Sequence, residues 1–440
     1  MPLLRHLAQS EDAMEMIKTI AWVIGIISFV VFVALFGRLP VFRRTPIGWT
    51  HRLLLHYIPQ TLIRLDRAIT GQRITRSVTR AYNYLMHDRH PVVMIIFILL
   101  QSGSEVLFIP AAHPHLTASH IYLVLPILVL LPYLTLWLCY STSDHHITAT
   151  SYPAALTRYP YDYTLYHPHQ PCRTCHLPKP ARSKHCSICK TCIEREDHHC
   201  IWINNCVGLH NYHYFIALLV SISCLLGYGA RTGFSILDSM LQEAFIPSQL
   251  IRGSTTNKKW STGLSWSDWL NAYSVVVAMN ARIGAVTLLA CMTCPLALGF
   301  LVYHVYLIWA GCTTNETAKW GELREDVWDN LVWKARIADV KAEYPGPLDE
   351  RIVYDPEHYL DQSKMNGRRP RWAGGKEAEW WVIRTKEGAP PTIWKEVEHG
   401  RYEEVIDERW VRVKDMKEVD NMYDLGLGGN FKDTMLRTWR

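Results

Sequence analysis

The fold class this sequence predicts is an α-helical polytopic membrane protein of about five transmembrane helices, with a small cysteine-rich cytosolic domain and a mixed α/β cytosolic tail. Three observations predict it. Apolar residues collect in five long runs before position 311, seven of the twelve cysteines fall between Cys172 and Cys206, and the last 130 residues are charged and rich in Trp.

About 20 mostly apolar residues cross a bilayer as a helix, and unpaired backbone inside it is costly. The runs near 19–37, 91–110, 121–140, 212–230 and 284–310 are long enough. The second carries Gln101, Ser102 and Glu105 and is the weakest. No small-residue cleavage site follows the first, which argues for a span rather than a signal peptide.

Orientation follows the basic residues. Segment 38–90 holds ten arginines against two acids, whereas 111–120 holds neither Lys nor Arg. The expected order is therefore a lumenal N-terminus and first helix (1–37), a basic cytosolic loop (38–90), and two helices with a short lumenal loop (91–140). A cytosolic cysteine-rich domain (141–211), two helices with a lumenal loop at 231–283 (212–310) and a cytosolic tail (311–440) complete it. The basic loop either lies against anionic lipid through stretches such as "HRLLLHYIPQTLIRL" or is a solvated segment that fixes topology. Glu105 is either a functional intramembrane acid or a side chain reaching the lumenal interface. Asn315-Glu316-Thr317 matches a glycosylation acceptor, and on the cytosolic side it stays unmodified.

In a reducing cytosol a cysteine cluster is expected to bind metal rather than form disulfides. The segment reads Cys172-x2-Cys175, His185-Cys186-x2-Cys189-x2-Cys192, Asp197-His198-His199-Cys200, then Cys206. Zinc takes four tetrahedral thiolate or imidazole ligands. Six cysteines and two histidines fill two such sites, which leaves one thiol spare. Cys200 is the best candidate, because it follows an aspartate and two histidines, the residue types that activate a thiol. The remaining cysteines, Cys139, Cys224, Cys291, Cys294 and Cys312, lie in or beside spans and read as packing residues, with acylation of Cys312 itself as the alternative for that position. His176 reads as a loop residue.

The run "CRTCHLPKPARSKHCSICKTCIEREDHHCIWINNCVGLHNYHYF", Cys172 to Phe215, resembles the cysteine-rich domain of the DHHC protein S-acyltransferases (palmitoyltransferases) almost position for position. The resemblance implies two structural zinc ions, one on Cys172, Cys175, His185 and Cys192, the other on Cys186, Cys189, His199 and Cys206. It implies Cys200 as the acylated nucleophile, His198 as its base and Asp197 as the group orienting that base. Thr313, Thr314 and Glu316 resemble the family's TTxE motif, and "NMYDLGLGGNF" resembles its C-terminal motif, with Asn430 at the asparagine position. In the family both brace the active site against the membrane helices. Two departures stand out: Ser143-Asp144-His145-His146 replaces the usual Asp-Pro-Gly, and Ile201 follows Cys200 where proline is usual. The additional span and the insertions resemble the fungal spore-wall-formation-type branch, whose substrates are SNAREs. That branch implies the endoplasmic reticulum, or the Golgi, as the location.

The activity implied is transfer of a palmitoyl group from palmitoyl-CoA to Cys200 and on to juxtamembrane cysteines of membrane proteins. Moving a palmitoyl tail into water costs roughly 12 kcal/mol, so the spans are expected to shelter it. Lys179, Arg182 and Lys184 are expected either to meet the CoA phosphates or to be solvated loop charges. The rival reading is a membrane-anchored zinc module that only binds partners. Nucleic acid is not an expected partner, since a net charge of +6 is small for 440 residues and no basic surface is interleaved with stacking aromatics. A zinc hydrolase would need an open coordination position, and none remains. In the tail, "GELREDVWDNLVWKARIADV" has a helical period and "EWWVIRTKEGAPPTIWKEVEHGRYEEVIDERWVRV" alternates as strands do, so 322–415 reads as a small insertion for substrate or partner contact.

Overall fold

The computed structural model describes residues 45–168, 170–250, 266–340, 376–398 and 401–436, with isolated positions before 45. Two compact units divide the chain: Met1–Val129 with Ser223–Leu296, and Leu130–Ile222 with Ala297–Arg440. Four helices among the described residues are long and apolar enough to cross a membrane: Val92–His115, His120–Ser141, Tyr212–Glu243 and Ala281–Trp309. The expected first span, 19–37, falls almost wholly outside the described residues.

In the first unit the basic segment is helical. Helix α1 (Pro46–Arg52) runs through one π-helical turn into α2 (Ile58–Thr70), and a left-handed pair, Gly71 and Gln72, reverses the chain into α3 (Arg73–His87). Four residues later α4 (Val92–Ala112) begins the first described span. Glu105 lies well inside that span, accepting a hydrogen bond from Gln101 Nε2 at 3.1 Å, and not at its end.

The next span ends in α5 (Leu125–Ser141), and the chain returns through α7 (Tyr212–Leu250), α8 (Trp266–Met279) and α9 (Ala281–Trp309) after the short α6 (Tyr152–Arg158). The expected loop at 231–283 is therefore largely helical where it is described. Arg231 and Asp238 break the hydropathy, but Ile236, Leu237 and Leu241 bury one face against Phe108, Val276 and Ile283, which sustains the helix. At Gly233 a β-carbon would collide with Thr287, so that glycine permits close approach of α7 and α9.

In the second unit two small antiparallel hairpins carry the cysteine-rich segment: β1 (Lys184–Cys186) with β2 (Thr191–Ile193), and β3 (His198–Cys200) with β4 (Asn205–Val207). The stretch in place of Asp-Pro-Gly joins α5 to this domain by backbone pairing. The Glu194 amide donates to the His145 carbonyl at 2.8 Å, and the Ile147 amide to the Cys192 carbonyl at 2.8 Å.

The tail begins with α10 (Thr314–Trp328) and then departs from the expected continuous helix. Asn330 adopts a left-handed turn, and β5 (Val332–Arg336), which opens on the strand-favouring Val332 and Trp333, precedes the one-turn α11 (Ile337–Val340). Strand β5 lies between β6 (Trp380–Arg384) and β9 (Val411–Arg412), while β7 (Thr392–Glu398) and β8 (Arg401–Ile406) form a separate hairpin. Leu323, Val327, Val332, Val382 and Val413 form the core beneath α10. Helix α12 (Gly426–Met435) closes the described chain.

Candidate active site

The two hairpins gather the predicted ligands into the two predicted sets, Cys172, Cys175, His185 and Cys192, and Cys186, Cys189, His199 and Cys206. Cross-strand pairing explains half of each set, since His185 faces Cys192 and His199 faces Cys206 in register. The turns between paired cysteines explain more: the Cys175 amide donates to Cys172 Sγ and the Cys189 amide to Cys186 Sγ.

Separations test whether these sets fit an ion. A tetrahedron with Zn–S of about 2.3 Å and Zn–N of about 2.0 Å has S–S edges of about 3.8 Å and S–N edges of about 3.5 Å. In the first set Cys175 Sγ lies 3.3 Å and Cys192 Sγ 3.9 Å from His185 Nδ1, with 3.8 Å between the two sulfurs. In the second, Cys186, Cys189 and Cys206 Sγ lie 3.6, 3.4 and 3.5 Å from His199 Nδ1. Both cages fit zinc.

Cys200 stands outside them. Strand side chains alternate, so His198 and Cys200 share one face of β3 while His199 turns to the other. On that face His198 Nδ1 hydrogen-bonds Asp197 Oδ2 at 2.7 Å, and the Cys200 thiol interacts with the same imidazole. Burial opposes charge on His198, but the Asp197 and Cys200 interactions outweigh it and carry its pKa up to about 10. Burial likewise opposes charge on Asp197, yet His198 and the Thr314 amide hold its carboxyl below the usual range. The group is thus arranged to keep an imidazolium beside the sulfur.

Spans supply the surroundings. Phe215 of α7 and Phe300 of α9 meet the His198 ring edge-on at 5.5 and 6.3 Å. His304 of α9 lies 5.8 Å from it, its Nδ1 2.9 Å from Tyr212 Oη. Nothing in the sequence pointed to His304, because only the fold brings it to Asp197 and His198.

The TTxE-like residues lock this arrangement. The Thr314 amide donates to Asp197 Oδ1 at 2.9 Å, and Thr313 Oγ1 donates to the Glu196 carbonyl at 3.1 Å. Thr313 and Glu316 also form a capping box that starts α10. Asn430 Nδ2 donates to the Trp309 carbonyl at 3.0 Å, and Asn421 Nδ2 to the Ala310 carbonyl at 3.2 Å, so tail amides satisfy orphan carbonyls where α9 ends. Asn205 treats α5 in the same way, donating to the carbonyls of Cys139 at 3.0 Å and Thr142 at 2.8 Å.

Arg182 corrects the sequence reading. It is 1% exposed, so it cannot meet CoA phosphates. Its Nε and Nη2 donate to Glu316 at 2.7 and 2.5 Å, Nη2 also reaches the Gly311 carbonyl, and its guanidinium lies over the Tyr159 and Tyr423 rings. Its role is to tie the cysteine-rich segment to the start of α10 and to the tail. Arg182→Met should leave the Glu316 charge buried and uncompensated, a loss of about 3–5 kcal/mol that a lowered thermal midpoint would record.

Lys184 remains exposed, its Nζ 3.9 Å from Glu196. Lys319, which sequence reasoning missed, holds Nζ 3.8 Å above the Tyr166 ring. Burial, followed by the charges of Lys179 and Lys184, pushes its pKa down against the pull of Glu316 and Asp162. The three lysines are therefore electrostatic neighbours.

Comparison with known proteins places the chain in a family. Residues 165–321 match the family model described as DHHC palmitoyltransferase. The chain is 42% identical to Palmitoyltransferase swf1 of Emericella nidulans, over 95% of this chain and 96% of that one. It is 39% identical to Palmitoyltransferase SWF1 of Neurospora crassa, over 96% and 93% of the two chains. It is 30% identical to Palmitoyltransferase ZDHHC4 of rat, over 56% of this chain and 72% of that one.

Proposed function

The chain belongs to the DHHC palmitoyltransferases, in the branch of the fungal swf1 proteins, and is an integral membrane protein S-acyltransferase; from that premise we propose that it works through an acyl-Cys200 intermediate. The observation that carries this reading is the contact of Cys200 and Asp197 with one imidazole, outside both cages.

The Cys200 thiolate attacks the thioester carbonyl of palmitoyl-CoA. The bond from carbonyl carbon to CoA sulfur breaks, and the departing thiolate takes the His198 proton, leaving acyl-Cys200, free CoA and a neutral imidazole. In the second half His198 takes the proton of a substrate cysteine, whose sulfur attacks the acyl carbonyl. Cys200 leaves as thiolate and the starting ion pair is restored. Asp197 orients the imidazole and stabilises its cation throughout, itself fixed by the Thr314 amide. Zinc in the two cages would supply structure rather than reactivity, because four protein ligands leave no position for substrate.

Lys179, Lys184 and Lys319 are the residues we assign to the CoA phosphates. Lys184→Ala with Lys319→Ala should raise KM for palmitoyl-CoA by about tenfold while changing kcat little. The cysteine-rich domain is read as cytosolic, a reading supported by the arginine excess of segment 38–90 and by the two spans between that segment and the domain. The acceptors are cysteines close to membrane segments, SNAREs at the endoplasmic reticulum or Golgi among them. The test is to incubate the purified protein with labelled palmitoyl-CoA and then with a peptide bearing a juxtamembrane cysteine. Hydroxylamine-sensitive label should appear first on the enzyme and then on the peptide. A protein that retains two zinc ions but takes no label would be an interaction module instead.

A further inference from the structure

We propose that the α2–α3 hairpin lies in the plane of the bilayer surface and recognises anionic phospholipid, its apolar stripe among the acyl chains and its arginines at the lipid phosphates.

The stripe is continuous in both helices. On α2 it is Ile58, Leu62, Leu65 and Ile69, at helical spacing; on α3 it is Ile74, Val78 and Tyr82, four apart. These side chains are 40–72% exposed, and Ile58, Leu62, Leu65, Ile69, Ile74 and Val78 are left uncovered by the described residues. A water-facing hairpin would not line each of its two helices with a row of exposed large apolar side chains.

Charge points to the occupant. Arg64, Arg67, Arg73, Arg76 and Arg80 are all exposed on the same two helices. The single acid between 58 and 87 is Asp66, and its carboxylate faces inward across the turn. It accepts hydrogen bonds from the Thr70 and Thr75 hydroxyls and from the Thr75 amide at 2.7 Å. That staple fixes the turn at Gly71 and Gln72. Asp88, exposed just beyond α3, lines one groove with Arg76 and Arg80, so five exposed cations stand against a single exposed acid on this hairpin. An apolar face flanked by arginine is the pattern of an in-plane helix on an anionic leaflet, where long basic side chains reach the phosphates while their stems stay apolar.

Continuity fixes the location. Only four residues separate the end of α3 at His87 from the start of α4 at Val92, and α4 is itself a span, so the hairpin is anchored where the chain enters the bilayer.

The test is hydrogen exchange of the full-length enzyme in nanodiscs of phosphatidylcholine alone or with one third phosphatidylserine, the amides of the 92–115 span serving as an internal control of fold. Amides of 58–87 should exchange about tenfold more slowly with phosphatidylserine, and the difference should vanish in high salt. Arg64→Gln, Arg67→Gln, Arg76→Gln and Arg80→Gln combined should abolish the difference. Ile69→Ser with Ile74→Ser and Val78→Ser should speed exchange in both lipids. Equal exchange in the two lipids would overturn the proposal. So would protection in lipid-free detergent that rises with protein concentration, because a second copy would then be the occupant.

Discussion

Cys200→Ala is expected to abolish hydroxylamine-sensitive self-acylation while the protein keeps two zinc ions per chain. The two halves of that result come from one geometric fact. Cys200 is a strand neighbour of His199, yet alternation turns it away from the cage that His199 completes and toward His198. Six of the other cysteines are caged, and although Cys139 at the end of α5 is close enough to Cys200 to feel its charge, the thiol that meets the His198 imidazole is that of Cys200. Loss of the sulfur therefore removes the atom that the His198 imidazole meets, and the side chain is small enough that packing around it should survive. Metal content and radiolabel, measured on one sample, check both halves. A variant that loses one zinc would make Cys200 a ligand, and one that still acquires label would place the acyl group on another residue.

Two four-ligand sites and a spare thiol were legible in the residues themselves, whereas the division of ligands between the cages came from the family resemblance, and the hairpins reproduce it by pairing His185 with Cys192 and His199 with Cys206. The spans were legible from hydropathy, although the α7 helix outran its apolar stretch because Ile236, Leu237 and Leu241 are buried by partners far away in sequence. Long-range contacts set the limit elsewhere too. Arg182, in a loop between Pro180 and Lys184, reads as a surface charge, and only the approach of Glu316, 134 positions on, makes it a buried strut. His304 and Lys319 became visible in the same way. At Asn330 the helical period of the tail continued on paper, but pairing of β5 with β6 and β9 overrode it. The staple at Asp66 needed the hairpin to exist before its hydroxyl partners could meet it.

Arg182 also explains why the departures from the family pattern are tolerable. The cysteine-rich segment does not depend on one tether. Asn205 holds it to the end of α5, His145 and Ile147 pair with it by backbone, Thr313 and Thr314 grip Glu196 and Asp197, and Arg182 reaches Glu316. With so many independent attachments, replacing Asp-Pro-Gly removes none of the contacts that set the His198 geometry.

Replacement of two adjacent histidines should have opposite consequences. His198→Ala removes the proton carrier and the cation that stabilises the thiolate, so acylation should slow by about 10²–10⁴-fold while zinc stays bound. His199→Ala removes a ligand shared by contacts of 3.4–3.6 Å with three sulfurs, and those thiolates are left crowded together without their ion. Structural zinc contributes about 10–16 kcal/mol in small metal-dependent domains, far more than the few apolar side chains here can replace. The second hairpin should therefore lose its fold, one zinc should be released, and activity should disappear because β3 carries His198 and Cys200 as well. Metal analysis separates the variants, and exchange of the 198–207 amides should be fast only in His199→Ala. Equal zinc in both proteins would mean that the alternation of β3 does not divide ligand from base, and the assignment of every residue from Asp197 to Cys200 would have to be withdrawn.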